Sequence, residues 1–129
     1  MPQISKNPVH KDVFYEIRDD FLWTLGQLRS EEEVKSFFYD FFTKTERVML
    51  AKRLAIAMMI HKGFTYDDIK FILHVSTSTI TSVSHWLDRG GVGVKHILDK
   101  LVKEEHAEAF WRKVNSFIEH KFIKPSMYS

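Results

Sequence analysis

Proline stands only at positions 2, 8 and 125 of this 129-residue chain, so a long interior runs without one. Proline removes a backbone donor and clashes with the preceding turn, and its absence leaves that interior open to helices. No stretch alternates apolar and polar residues, whereas apolar residues recur at i, i+3 and i+4 throughout. The expectation is an all-α protein folding as a single domain over residues 1–129. With 44% hydrophobic residues it can bury a core without metal or disulfide staples. Cysteine is absent, which excludes a disulfide framework, a thiolate nucleophile and Cys-ligated zinc.

The apolar spacing marks out individual helices. The first pattern runs through Val13, Phe14, Ile17, Phe21, Leu25 and Leu28 and ends near Arg29. Ser30 with Glu33 reads as a capping box that opens a second helix carrying Val34, Phe37, Phe38, Phe41 and Phe42. Thr43 with Glu46 repeats that pattern and opens a third, carrying Leu50, Leu54 and Met58, with Gly63 suited to its C-cap. Thr65 then caps a short helix reaching Leu73, and Ser76 caps another reaching about Leu87. The glycines at 90, 91 and 93 read as a mobile loop. A last helical stretch, about 94–121, carries Ile97, Leu98, Leu101, Phe110, Trp111, Val114, Phe117 and Ile118. Its apolar stripe is interrupted at Glu104, Glu105 and His106, where a bend or break is expected.

Charge narrows the class of partner. Nineteen Lys and Arg against seventeen Asp and Glu leave a net charge of +2, which excludes an acidic or basic tail and a polybasic anchor. The longest apolar run, Leu54 to Ile60, is too short to span a bilayer, so no membrane partner is expected. The opening residues, Met1 to Asp12, carry no apolar stretch resembling a signal peptide, and the expected compartment is the cytoplasm. Eleven Phe, three Trp and four Tyr are a heavy aromatic load. Either a Phe-rich core absorbs it, or part of it buries against a second chain. The three Trp residues and Met58-Met59 are read as core or interface.

The chemistry concentrates between Tyr66 and His85. Ile69 and Leu73 share one face of the first short helix, Ile80 and Val83 share one face of the second, and Val75 plugs the turn between them. Such spacing packs two short helices at a steep angle, as in a helix-turn-helix at about 65–87. A plain helical hairpin needs the same spacing. The second helix, however, is crowded with Ser76, Thr77, Ser78, Thr79, Thr81, Ser82 and Ser84, residue types that helix stability does not favour. Short hydroxyls permit close approach to DNA, bond to phosphates or base edges, and present Thr methyls to thymine. No acidic residue lies between Ile69 and Leu87, and residues 44–95 carry eight bases against four acids. The expected DNA-contacting set is Thr65, Ser76, Thr77, Ser78, Thr79, Thr81, Ser82 and His85, with Lys62 and Lys70 as phosphate partners. Against strong base readout, the second helix has no Arg or Lys between Ser76 and Leu87 to clamp guanine.

From Thr43 to Leu87 the chain resembles the Trp-repressor superfamily, in particular its bacterial Trp-repressor-related branch of the YerC/YecD type. Two blocks carry the resemblance. The first is Thr43, Glu46, Arg47, Leu50 and Arg53, in a Thr-x-x-Glu-Arg…Leu-x-x-Arg pattern; the second is Ser76-Thr77-x-Thr79-Ile80. The resemblance implies an entwined homodimer that presents two recognition helices to successive major grooves of double-stranded DNA. It further implies an effector pocket between the central and recognition helices, with Thr43, Arg53 and Ser82 at its walls. Ser82 stands where the repressor has an arginine stacked on the indole, and serine offers no planar cation. L-Tryptophan is therefore not expected to be the effector, whose identity stays open. A second departure is His74, at a turn position where glycine is usual; histidine enters the left-handed region only at a cost.

Other chemistry finds little footing. His10, His61, His74, His85, His96, His106 and His120 show no i, i+3 or i, i+4 pairing, so no metal is expected. Asp67-Asp68 and Glu104-Glu105 are adjacent rather than stacked, and Ser84 and His85 point apart as helix neighbours. No phosphate-binding glycine loop follows a strand. The expectation is no enzyme, no catalytic residue and no cofactor. The reading carried forward is a homodimeric, sequence-specific DNA-binding transcriptional regulator. The alternative is a protein-interaction or scaffold module that keeps the helix-turn-helix for packing without binding DNA.

Overall fold

The computed structural model describes residues 8–103 and 107–121, and every regular element among them is a helix. In order these are α1 (Lys11–Gly26), α2 (Glu31–Phe41), α3 (Lys44–Lys62), α4 (Tyr66–Leu73), α5 (Thr77–Arg89), α6 (Val92–Lys103) and α7 (Glu108–Lys121). The chain clusters into two compact units, one up to Leu50 and the other from Ala51 onward, with α3 running through the boundary.

The punctuation expected from the sequence is present at atomic level. The Glu33 N–H donates to Ser30 Oγ at 3.1 Å, while the Glu33 carboxylate reaches one residue further back, to the Arg29 N–H at 2.6 Å. At α3 the capping box is reciprocal. The Glu46 N–H donates to Thr43 Oγ1 at 3.2 Å and the Thr43 N–H donates to Glu46 Oε1 at 2.9 Å. Arg47 completes this corner by donating from Nη1 to the carbonyls of Tyr39 and Phe42, which α2 leaves without helical partners. The Thr-x-x-Glu-Arg block is thus a joint between two helices. At the other end of α3, Gly63 takes φ +93°, and the N–H groups of Gly63 and Phe64 bond back to Ile60 and Met59. That pair of bonds closes the helix as a Schellman motif.

The first unit is rich in rings but lacks a closed core. Phe21 lies within 6.4 Å, centroid to centroid, of Phe37, Phe41 and Phe42, and Phe37 stacks on Phe41 at 5.0 Å. Yet neither α1 nor α2 has a buried residue, and Val13, Phe14, Ile17, Leu22, Trp23 and Phe41 are exposed. The second unit holds the core. Ile56 and Met59 of α3, Ile69 of α4, Ile80 of α5, Leu98 of α6 and Val114 of α7 are fully buried together. Each such side chain contributes roughly 1.5–3 kcal/mol of burial free energy. Helix α4 packs against both α5 and α7. Polar ties reinforce the arrangement at the edges: His61 bonds Asp99 at 2.9 Å, and Lys121 bonds Asp68 at 3.2 Å.

One expectation is corrected and one lies outside view. The glycine-rich stretch is not a loop: Gly90 caps α5, Gly91 links, and α6 already starts at Val92, so Gly93 is helical. The three Trp residues do not share one role. Trp111 is core, stacked on Phe64 at 5.9 Å, whereas Trp23 and Trp86 are exposed. The break expected at Glu104, Glu105 and His106 falls outside the described residues.

Gly90 is required by space rather than by its φ of −72°. A Cβ there would lie 2.7 Å from the Trp86 carbonyl oxygen and 2.9 Å from that of Leu87, both backbone atoms. Gly90→Ala is expected to destabilise by about 1–3 kcal/mol, the usual penalty of overpacking. Gly93→Ala meets nothing within 4 Å inside α6 and should stabilise by about 0.5 kcal/mol. Chemical denaturation of the two variants, side by side, checks both signs.

Candidate nucleic-acid interface

The turn that joins α4 to α5 consists of His74, Val75 and Ser76. Thr65 starts α4 by accepting the Asp68 N–H at 3.1 Å, and Asp67 and Asp68 sit favourably in its first turn. His74 ends it at φ 53°, ψ 52°, its N–H bonded to the Lys70 carbonyl at 2.9 Å. This is the left-handed position expected at the turn, held by a residue with a Cβ. Val75 packs half-buried against the core, as the plug its position suggested.

Ser76 then opens α5. Its Oγ accepts the Thr79 N–H at 3.2 Å and lies 2.9 Å from Thr79 Oγ1 and 3.2 Å from Ser78 Oγ. Three hydroxyls are thereby gathered at one helix end, where the first backbone N–H groups lack helical acceptors. Ile80, Val83 and Leu87 are buried on one side of α5. Thr77, Ser78, Thr79, Ser82 and His85 are exposed. Thr81 and Ser84 are half-buried, so Thr81 presents less surface than the other predicted contacts.

The expected phosphate partners differ in availability. Lys70 is exposed on α4. Lys62, also exposed, holds its Nζ 4.1 Å above the Trp111 ring, a cation–π contact that it would have to leave in order to reach a phosphate.

The residues expected around an effector are only partly gathered. Arg53 and Ser82 meet across a small cleft of about 240 Å³ between α3 and α5. Thr43 belongs to the first unit, where its side chain caps α3. The cleft has two further walls, Val83 and Trp86, that the sequence reading did not assign to it. The spacing contained the clue for Trp86, which follows Ser82 by four positions on the helix. Trp86 is 45% exposed and brings an indole of the chain's own to the cleft.

The Trp repressor protein family matches this chain over residues 18–120. A Bacillus subtilis (strain 168) protein described as uncharacterized protein YerC is 35% identical over 91 residues, covering 70% of this chain and 86% of the relative. No solved structure matches significantly. The capped α3 with its Thr-x-x-Glu-Arg joint, the hydroxyl-rich α5 and the extent of these matches place the chain in the Trp repressor protein family.

Proposed function

We propose that this protein is a homodimeric transcriptional regulator of the cytoplasm that reads double-stranded DNA with α4, the turn and α5 as a helix-turn-helix. One observation carries the reading. Helix α5 buries Ile80, Val83 and Leu87 and turns Thr77, Ser78, Thr79 and Ser82 to solvent. A surface built of short hydroxyls at a helix N-terminus suits phosphates and base edges, whereas longer side chains would favour stability. In this reading His85 and Ser76 flank the contact, Thr81 contributes through its exposed part, and Thr65 and Lys70 meet the adjacent phosphates. Selection of binding sites from a random duplex pool, with purified protein at stated salt, tests the reading. Enrichment of a two-fold repeat supports it. Failure to enrich, together with no salt-dependent binding, favours the interaction-module alternative, to which the lack of any Lys or Arg in α5 before Arg89 already lends weight.

Dimer formation is supported by the first unit, whose helices α1 and α2 bury no residue within one chain. The cleft between α3 and α5 supports a reading without tryptophan as effector. Ser82 and Val83 offer no second planar cation, and Trp86 already lines the space. Losing a stacked guanidinium costs on the order of 1–2 kcal/mol, or about tenfold in affinity. Calorimetric titration with L-tryptophan to millimolar concentration is expected to show no saturable binding near micromolar, with or without selected DNA. Micromolar binding that strengthens DNA affinity would restore a tryptophan site.

A further inference from the structure

A second concavity lies between α4 and α7, lined by none of the residues assigned above to DNA or effector. It encloses about 430 Å³, a volume suited to a small molecule. Phe71 and Ile72 of α4 form one wall; Phe110, Val114 and Phe117 of α7 form the other. Its polar members are His74 and Lys113, and no carboxylate lines it. The nearby Asp68 is held by Lys121 at 3.2 Å, and among the described residues Lys113 makes no ion pair. Phe117, which lines the groove with Lys113, is left 53% exposed.

We propose that this groove binds a small aryl carboxylate. The aromatic and aliphatic walls would take the ring, and Lys113 with the His74 imidazole would take the carboxylate. Lys113 is exposed at the groove, where its ammonium attracts a carboxylate and repels a cation. His74, whose left-handed conformation serves the turn, also lines this groove. The site stands whether or not α5 binds DNA.

Calorimetric titration of the full chain with 2-naphthoate, beside its neutral amide, tests the proposal. One saturable site per chain is expected, weakened about two- to fivefold in the amide and in Lys113→Gln, since an exposed ion pair is lost. Phe117→Ser, at an exposed position, should weaken both ligands while circular dichroism stays native. Backbone amide resonances of His74 and Lys113 should shift on titration. No saturable binding of the naphthoate overturns the proposal, as does binding that Lys113→Gln and the amide leave unmoved. A sedimentation mass that halves in Phe117→Ser would also overturn it, because a second copy would then cover the groove.

Discussion

Thr79→Asp is expected to abolish DNA binding while leaving the protein folded. Thr79 is exposed at the third residue of α5, and its N–H is already held by Ser76 Oγ. An acidic side chain there is favourable for the helix itself, because it faces the positive end of the macrodipole. Against a phosphate the same charge is repelled, and like charges brought together in an interface cost several kcal/mol. The expected result is a loss of at least about a hundredfold in affinity, with native circular dichroism and an unchanged unfolding midpoint. Wild-type affinity should itself fall steeply as salt rises, since α5 offers hydroxyls and neutralisation of phosphates must supply most of the binding. Titrations at two salt concentrations measure both effects. Unchanged binding by the folded Asp variant would transfer the weight to the interaction-module reading.

Ile17→Glu should convert a dimer into monomers. Ile17 is 53% exposed on α1, so a single chain has no reason to reject a carboxylate there. In a two-fold dimer that covers this face, the substitution would appear twice and bury two unpaired charges. The wild type is expected to sediment at micromolar concentration with the mass of two chains, and Ile17→Glu with the mass of one. Because the first unit has no buried residue on α1 or α2, the variant should also melt earlier and less cooperatively. A wild-type protein that sediments as a well-folded monomer would remove the dimer from the proposal, and with it the two-fold operator.

Much of the local structure was legible in the chain because short-range rules govern it. Missing prolines, repeated apolar spacing and Ser or Thr followed three residues later by Glu identified the helices and their starts. Gly63 at the end of α3, Val75 in the turn and His74 in a left-handed conformation also follow from local chemistry, each within one turn of helix. The hydroxyl face of α5 was equally legible, since the positions of Ile80 and Val83 fix which side is buried and hence which side is left for Thr77, Ser78 and Ser82.

What the sequence could not rank was the use of surface, because burial depends on which distant elements arrive. Phe37, Phe38 and Phe41 share one helix, with Phe42 at its cap, whether they fill a core or await a partner; the packing of α1 and α2 leaves no described residue of that unit buried. Three tryptophans look alike in composition, yet Phe64 and Lys62 cover Trp111 while Trp86 lines a cleft with Arg53. Glycines at 90, 91 and 93 suggest a loop, but Gly90 is there because the end of α5 leaves no room for a Cβ. The groove beside His74 exists because α7, far along the chain, packs on α4. Caps and amphipathic faces are set within a few residues, and the sequence determined them. Cavities and exposed rings are set by contacts between elements dozens of residues apart, and only the tertiary structure decided those.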